Sequence, residues 1–508
     1  MSIKSLAKDT AVYGLSSIVG RFLNWCLVPL YVYLFPSEEY GIVTYLYGVT
    51  AVMLVILNYG METGFFRFAN KEEDPEKVYT TSLISVGSTS LIFLILLTIF
   101  IHPISDGLKL PQQSLFVWLI GATVAVDAFC NLPFAYLRYK NRSWRFAGIK
   151  LINVALNIGL NLFFLLLCPV IWRSNPAFIA WFYEPAGGES FGIGWIFVAN
   201  IISSYIILFL LMPQIMGRVW RFSWELLKRM LTYSWPLLIL AIAGMLSQNM
   251  GQLLIPYLIS DEEAARSMVG IYGANMKIAI VMVMFTQAFR YAYEPFIFSQ
   301  AKKSGETSAA MYADAMKYFI LFGWVIFLGV MFYLPFVRYF ISPSYWEGLQ
   351  VVPVMMGAEL CFGVFFNLSL WYKLTDRTRW GMYLSLICFG AMLGLNLWLV
   401  PFIGIPNGYM GSAWGALAAY FLVMVISYFL GRKYYPLPYQ LGRIGAYTVL
   451  AAVFYLCGMG AEYLMPEWAV YVVRTLLILV YVAVIARYEN IPLIGPYLNK
   501  FPKLPLFC

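Results

Sequence analysis

Charged residues are scarce in this sequence. They make up 12% of its 508 residues, whereas hydrophobic residues make up 61%. Soluble domains contain about 25% charged and about 45–50% apolar residues, so this composition excludes a soluble globular enzyme or an ordinary cytosolic binding module. The sequence therefore predicts a polytopic membrane protein.

Residues that build metal and nucleotide sites are also lacking. The chain has one histidine, His102, and its seven cysteines are scattered without a CxxC spacing. No GxxxxGK[ST] string is present to hold the phosphates of ATP. The longest connection predicted outside the membrane, residues 169–192, offers only Arg173, Glu184 and Glu189 for acid–base chemistry. We expect no metal, no cofactor and no enzymatic activity.

Long apolar runs fill most of the chain. Stretches of about 20 apolar residues can be placed fourteen times, and because they are continuous rather than alternating, they predict transmembrane helices and not a β-barrel. We place the centres of these helices at residues 22, 50, 91, 125, 157, 201, 245, 279, 327, 360, 391, 420, 454 and 478.

Basic residues indicate the orientation of these helices. Five of them fall in alternate connections and span mouths and two fall inside spans, which leaves 27 of the 34 Lys and Arg residues on the other side. The five are Lys109, Arg173, Arg266, Arg338 and Arg474. This positive-inside pattern predicts that both termini are cytoplasmic. It also explains the net charge of +9 without nucleic acid as a partner.

An internal repeat predicts two lobes. EYGIVTYLYG (39–48) opens the second span, and the similar SMVGIYGANMK (267–277) opens the eighth. We expect an N-lobe at residues 1–215 with spans 1–6, a C-lobe at 216–435 with spans 7–12, and spans 13–14 with a cytoplasmic tail at 436–508. A binding site between repeats is typical of secondary transporters. SWELLKRM (223–230) predicts a short amphipathic helix at the inner interface.

Four ionisable residues are predicted near the bilayer midplane: Arg21, Asp127, Lys277 and Glu359. Because their charges sum to zero, they could be structural pairs of opposite charge. Alternatively, the two cations face a water-filled cavity and hold one anionic substrate between the lobes, where the fork of Arg21 and the point charge of Lys277 suit a diphosphate. Asp127 and Glu359 would then couple an ion or contact sugar hydroxyls.

Uncharged polar residues form two further groups inside the spans. Gln248, Asn249 and Gln252 lie on span 7, where Gln248 and Gln252 share a helix face, and Asn153, Asn157 and Asn161 form a stripe on span 5. Such amides either line a path for sugar or hold helices together by hydrogen bonds. The sequence leaves both interpretations open.

Two pairs of charges lie at predicted inner span ends. Glu62 and Arg67 lie at the end of span 2, and Arg290 and Glu294 lie at the end of span 8, four residues apart. We interpret these four residues as a cytoplasmic gate. Ordinary anchoring of helix ends is the alternative.

Five strings carry a resemblance to a known family: YGLSSIVGRFLN (13–24), EYGIVTYLYG (39–48), YGMETGFFRF (59–68), GIYGANMKIAI (270–280) and QAFRYAYEPFIFSQA (287–301). In this order they resemble the Wzx-like polysaccharide biosynthesis proteins, which are flippases for lipid-linked oligosaccharides within the MATE/MOP exporter superfamily. The resemblance covers essentially the whole chain. It implies fourteen helices, two pseudo-symmetric lobes in a V shape, and alternating access.

The resemblance also implies a substrate and a location. The substrate would be sugar units on undecaprenyl diphosphate, such as O-antigen or capsule repeat units, moved to the outer leaflet of the bacterial cytoplasmic (inner) membrane. Arg21 matches an arginine on the first helix of related flippases, and Lys277 is similar to the basic residue of the GIYGANxK string. One departure is Gly251-Gln252, where many relatives carry an acidic–basic pair.

The resemblance leaves alternatives open. A MATE-like cation-coupled antiporter of small molecules would use an acidic residue within the first helix, but Asp9 lies at the very start of that helix. A membrane sugar polymerase or ligase would need catalytic groups outside the membrane. We expect membrane lipid and the lipid-linked glycan as partners, a monomeric protein, and contact with polysaccharide polymerase or assembly proteins as a further option. The coupling ion, H⁺ or Na⁺, is not determined by the sequence.

Overall fold

The structure is a computed structural model in which every described regular element is a helix, as the all-α prediction requires. It describes residues 19–185, 187–216, 219–300, 306–375, 377 and 379–489. Side chains of residues 291–292, 294–300 and 306–308 lie outside this description. Thirteen helices in the described part are long and apolar enough to cross a membrane, and a shorter apolar helical stretch spans Val19–Leu34. Each predicted span centre falls inside a helix, but the total of fourteen spans stays a prediction.

The first of two compact units reaches Gly273 and includes Val400–Tyr409. Its helices are α1 (19–25), α2 (Val28–Leu34), α3 (Ser37–Asn58), α4 (Met61–Ala69), α5 (Pro75–Ile99), α6 (Ile101–Gly107), α7 (Ser114–Tyr139), α8 (Ser143–Leu162), α9 (Cys168–Ser174), α10 (Pro176–Tyr183), α11 (Gly194–Ile215) and α12 (Trp224–Leu258), followed by the first residues of α13 (Glu262–Gln300).

Helix α7 lies at the centre of the first unit and packs against α3, α5 and α11. It is buried on most sides because it carries many small and branched residues, as in Gly121-Ala122-Thr123-Val124, which let neighbouring helices pack closely. At one end of the unit a cluster of buried apolar side chains joins α4, α5, α7 and α12, with Phe65, Tyr79 and Met230 fully enclosed.

Helix α12 corrects the expectation of a separate interfacial helix at 223–230. That segment forms the first turns of a continuous helix that runs from Trp224 to Leu258. Ser223 caps it by accepting a hydrogen bond from the Leu226 amide, and Arg229 forms an ion pair with Glu72 at 3.0 Å. These contacts and the packing against α4 and α5 hold the segment in line with the rest of α12, so it is not a separate amphipathic helix.

The second compact unit covers Ala274–Leu399 and the chain from Met410. After the remainder of α13, its helices are α14 (Glu306–Phe332), α15 (Leu334–Val337), α16 (Val351–Leu368), α17 (Leu370–Leu374), α18 (Arg379–Ile403), α19 (Gly408–Tyr434), α20 (Leu441–Gly460) and α21 (Glu467–Tyr488). The predicted lobe boundaries at 1–215, 216–435 and 436–508 stay a prediction, and residues 490–508 of the tail lie outside the described part.

Buried charges join the last two helices to α14 in the second unit. Lys317 of α14 pairs with Glu489, directly after α21, and with Asp314 at 3.1 Å, while Tyr447 of α20 donates a hydrogen bond to Glu489. Near the other end of α14, Arg474 is 1% exposed and donates to the Phe332 carbonyl and to Glu462. Polar contacts therefore join α14, α20 and α21 at two positions along α14, near Lys317 and near Phe332.

Candidate functional site

A polar cavity of about 400 Å³ lies within the first unit. Most of its lining side chains are polar, although the surrounding helices are apolar. They come from α1, α3, α7, α8 and α11: Arg21, Asn24, Tyr47, Thr50, Thr123, Asp127, Lys150, Asn153, Asn157, Asn200, Ser203 and Ser204. Desolvated polar groups are costly inside a membrane protein unless they bond one another, water or a ligand. The cavity is therefore the candidate functional site, and we call it the polar cavity.

The polar cavity contains one carboxylate, Asp127 of α7. Ser204 Oγ of α11 donates a 2.7 Å hydrogen bond to Asp127 Oδ1, which fixes the carboxylate from one side. Nearby, Asn200 Nδ2 donates to Tyr47 Oη at 2.8 Å, so the same face of α11 is bonded to two different helices. Asp127, predicted from the sequence as an in-membrane carboxylate, thus lies in a bonded polar setting.

Two cations line the same cavity, Arg21 of α1 and Lys150 of α8. Lys150 Nζ lies 4.1 Å from the centroid of the Phe134 ring, and it attracts Asp127 electrostatically. No hydrogen bond or ion pair within 4 Å involves Lys150 in the described part of the chain. The charged lining therefore comprises two cations and one carboxylate.

Sequence reasoning missed Lys150. Lys150 follows the basic string RYKNRSWR so closely that the sequence assigns it to the basic inner loop rather than to the following span. In the structure α8 begins at Ser143, which places Lys150 two turns into the helix. Its spacing of three and seven residues from Asn153 and Asn157 puts it on their helix face, and that spacing is the signal that could have identified it.

The asparagine stripe of α8 has two different environments. Asn153 and Asn157 line the polar cavity, whereas Asn161 is fully buried. Asn161 Nδ2 donates to Asn157 Oδ1 at 2.8 Å, and Tyr31 Oη of α2 donates to Asn161 Oδ1 at 3.0 Å. Asn161 therefore joins α8 to α2, while Asn153 and the Nδ2 group of Asn157 remain available to a ligand.

Lys277 and Glu359 belong to the second unit. Lys277 is half-buried on α13, and Glu359 is half-buried on α16. The Glu359 carboxylate makes no hydrogen bond and no ion pair with any described residue. The structural alternative, a pair of opposite charges, therefore does not account for Glu359, and the roles predicted for both residues stay predictions.

The three amide side chains predicted on span 7, which is α12 in the structure, also have different environments. Gln248 is exposed on α12, and Asn249 Nδ2 donates to the Met245 carbonyl one turn earlier at 2.9 Å. Gln252 packs closely against Gly48 of α3. Asn249 is thus bonded to its own helix backbone, Gln252 lies beside α3, and Gln248 is the amide with an open face.

The residues predicted as a cytoplasmic gate contact other helix ends. Glu62 of α4 forms an ion pair with Arg138 at the end of α7. The Arg67 guanidinium lies 4.0 Å from the Tyr233 ring, and the Arg290 guanidinium lies 4.4 Å from the Phe366 ring. The side chain of Glu294 lies outside the described residues. The gate role of these four residues stays a prediction.

Comparison with protein families decides the identity of the chain. The model of the polysaccharide biosynthesis protein family matches residues 6–299, which is more than half of the sequence. The chain belongs to this family. The resemblance inferred from the five sequence strings is thereby confirmed.

Solved structures share the fold of this polysaccharide biosynthesis protein. The lipid II flippase MurJ in an inward closed conformation is 12% identical, with 95% of this chain and 100% of that chain covered and a TM-score of 0.71. An inward-facing multidrug resistance MATE family transporter of the MOP superfamily is 13% identical, with 82% and 94% covered and a TM-score of 0.64. A MATE structure in the straight conformation is 15% identical, with 85% and 95% covered and a TM-score of 0.56.

These likenesses confirm the predicted fold class, an all-α polytopic membrane protein of MOP type. No curated protein matches the sequence. At such low identities the solved structures establish only the fold of this family member. Its substrate has to be inferred from the chemistry of the site.

Proposed function

We propose that this polysaccharide biosynthesis protein is a flippase that moves an oligosaccharide linked to undecaprenyl diphosphate across the cytoplasmic membrane by alternating access. The observation that carries the proposal is the charge of the polar cavity, where two cations, Arg21 and Lys150, outnumber the single carboxylate, Asp127. An excess of positive charge in a membrane-embedded cavity favours an anionic ligand. A lipid diphosphate supplies that charge together with a tail that stays in the bilayer.

Each cation suits a different part of a diphosphate. The planar guanidinium of Arg21 can donate two parallel hydrogen bonds to phosphate oxygens, and the Lys150 ammonium acts as a mobile point charge. The amides of Asn153 and Asn157 beside Lys150 both donate and accept hydrogen bonds, as sugar hydroxyls require. A volume of about 400 Å³ lies within the usual range of about 300–1,000 Å³ for ligand pockets.

Lys150 revises the original pairing of basic residues. The sequence paired Arg21 with Lys277, whereas Lys150 lines the same cavity as Arg21. We therefore assign the diphosphate contact to Arg21 and Lys150. Lys277 is proposed as a separate cation of the second unit that the substrate meets during transport, and Glu359 is proposed as a carboxylate that couples H⁺ or Na⁺ to turnover.

A cation-coupled antiporter of small molecules is the alternative. MATE transporters share this fold, and MATE-like activity on cationic compounds would require a cavity with excess negative charge. Two cations against one carboxylate repel such compounds, because like charges at close range cost several kcal/mol in a low-dielectric site. The lining charges therefore favour the flippase.

Transport in liposomes tests the proposal. Purified full-length protein is reconstituted with undecaprenyl-diphosphate-linked oligosaccharide in both leaflets, and an impermeant oxidant or glycosidase measures the glycan exposed over time. Protein-containing vesicles should expose nearly all of the glycan, whereas empty vesicles should stop at about half. Arg21→Gln combined with Lys150→Gln should behave like empty vesicles. Equal exposure with and without protein, or exchange of H⁺ for a cationic dye, would contradict the proposal.

A further inference from the structure

The connection between α8 and α11 is a structured segment of the first unit. It contains a π-helical stretch at Phe163–Leu167, helices α9 and α10, and a short 3-10 turn at Gly188–Phe191. From Ser143 to Arg173 the chain advances about 45 Å at 1.5 Å per residue, which exceeds the roughly 30 Å hydrocarbon core. The end of α9 therefore lies on the membrane side opposite the basic loop that precedes Ser143.

Stacked aromatic rings hold this connection rigidly. Trp195 of α11 stacks on Phe164 with ring centroids 4.7 Å apart and on Tyr183 with centroids 5.3 Å apart. Trp195 Nε1 also donates a 3.0 Å hydrogen bond to the Gly188 carbonyl. Offset-stacked rings contribute beyond their buried area, by about 0.5–1.5 kcal/mol per pair. The end of α10 and the turn at Gly188–Phe191 are thereby fixed to α11.

A second cavity, of about 520 Å³, opens beside this stack. We call it the outer cavity. It is lined by Trp172, Arg173, Glu184, Gly187, Gly188, Glu189 and Ser190. Arg173 Nε and Nη2 donate to the two oxygens of Glu189 at 3.0 and 3.1 Å, which makes a planar bidentate pair. The carboxylate of Glu184 makes no hydrogen bond or ion pair in the described part of the chain.

We propose that the outer cavity binds the sugar part of a glycan. The C–H face of a hexose carries partial positive charge and suits the negative face of the Trp172 indole. Sugar hydroxyls need both donors and acceptors, and the cavity offers the unused N–H groups of Arg173 together with the carboxylates of Glu184 and Glu189. An ion pair held in bidentate geometry presents these groups in one plane without rearrangement on binding.

The same geometry argues against catalysis at this place. The hydrogen-bonded Arg173 guanidinium holds the pKa of the Glu189 carboxyl below its ordinary value of 4.5, so Glu189 stays ionised at neutral pH. An ionised carboxylate committed to a guanidinium cannot donate a proton to a leaving group. Glu189 and its partner Arg173 are therefore suited to binding sugar and not to general acid catalysis.

This inference rests on the proposed function, because the glycan is identified as the sugar part of the flipped lipid. The outer cavity lies on the side where a translocated glycan emerges, so it would hold the product's sugars while the lipid diphosphate leaves the polar cavity. The other face of α10 carries Phe178 and Trp181, which are 70% and 79% exposed. Aromatic residues of this kind are typical of the membrane interface.

Binding of a free oligosaccharide to the intact protein tests the inference. The probe is the water-soluble oligosaccharide released by mild acid from lipid-linked precursors of the native cell membrane. Full-length protein in nanodiscs should give saturation-transfer NMR signals with this probe. Trp172→Ala should weaken binding at least tenfold, and Glu184→Gln, which breaks no contact within the protein, should weaken it severalfold. Trp181→Ala is the matched control and should bind within twofold of the unaltered protein.

The outcomes separate this inference from the proposed function. Arg21→Gln with Lys150→Gln should abolish lipid transport and leave binding of the free oligosaccharide unchanged. If the unaltered protein binds the oligosaccharide but does not flip the lipid, the flippase is contradicted and the outer cavity is kept. The outer cavity would be overturned, whatever the transport result, if the unaltered protein shows no saturable binding. It would also be overturned if Trp172→Ala and Glu184→Gln bind the oligosaccharide as well as the unaltered protein does.

Discussion

Lys150 Nζ lies 4.1 Å from the centroid of the Phe134 ring, inside a cavity that it shares with Asp127. The aromatic face stabilises the ammonium by roughly 0.5–2 kcal/mol while leaving its N–H groups without a hydrogen bond in the described chain. A cation held in this way, with no ion pair within 4 Å in the described chain, is positioned for a further anion beside Asp127. This arrangement leads to the first prediction.

Lys150→Gln is expected to reduce lipid transport at least tenfold, because it removes one of the two cations that hold the diphosphate. A tenfold loss corresponds to about 1.4 kcal/mol, within the range expected for a charged hydrogen bond. The amount of folded protein in the membrane should not fall, since no ion pair is broken. Initial rates in the vesicle assay measure the effect.

The matched control for Lys150 is Lys228→Gln, a change of an exposed lysine in the first turns of α12. It should transport normally. Lys150→Arg should retain part of the activity, because it keeps the charge. Full transport by Lys150→Gln would remove this residue from the site.

Glu359→Gln is expected to leave the amount of folded protein unchanged or to increase its thermal stability. The carboxylate has no partner among the described residues, and an uncompensated charge costs free energy even when it is half-buried, so an amide of the same shape removes that cost. Transport should nevertheless lose its dependence on pH or sodium if Glu359 couples an ion. Thermal unfolding in detergent and transport across imposed ion gradients are the measurements.

A decrease in folded protein for Glu359→Gln would show that the carboxylate supports the structure after all. Asp127→Asn provides a comparison, because Asp127 accepts the 2.7 Å hydrogen bond from Ser204. Weakening that charge-assisted bond should cost about 1–3 kcal/mol. The Asp127→Asn variant is therefore expected to be less stable than the Glu359→Gln variant, although the sequence alone does not distinguish the two carboxylates.

Gly41→Val is expected to destabilise the contact between α3 and the start of α13. A Cβ atom at Gly41 would overlap the carbonyl oxygen of Arg266, and one at Gly270 would overlap the carbonyl of Ser37. Small residues allow helix backbones to approach this closely in membranes. A cysteine pair at Ser37 and Ser267, whose hydroxyls are 2.8 Å apart, should therefore cross-link readily in the unaltered background and poorly with Gly41→Val.

Gly244→Ala is the control for Gly41, because nothing lies within 4 Å of the added methyl group. It should cross-link like the unaltered protein. Equal cross-linking by Gly41→Val would mean that the two helices stay close despite the added side chain, and a glycine at this position would then not be needed for the contact.

Lys317→Met is expected to destabilise the protein by about 3–5 kcal/mol, because it leaves the buried carboxylate of Glu489 without its cation. The Lys317 and Glu489 side chains are 4% and 3% exposed, so water cannot replace the lost partner. The double change Lys317→Met with Glu489→Leu should recover most of that stability. Thermal unfolding of the purified variants measures the difference, and additive losses in the double variant would contradict a direct pair.

The sequence by itself determined the class of the protein. Scarce charge and long apolar runs predict a polytopic membrane protein, since hydropathy sums over neighbouring residues and needs no tertiary information. Each predicted span centre lies in a helix, and the five strings identified the family correctly. Arg21 and Asp127 could be singled out because an ionisable residue in an apolar run is conspicuous without a structure.

Only the tertiary structure decided which polar residues face the same space. Glu62 pairs with Arg138, Arg173 pairs with Glu189, and Lys150 shares a cavity with Arg21, although each pair is separated along the chain. These partnerships depend on where a helix begins, how far it is rotated and what packs beside it. A shift of one residue turns a side chain by about 100°, and local composition does not contain that information. The physical reason is that pairing depends on packing between distant helices, whereas hydropathy depends on the segment alone.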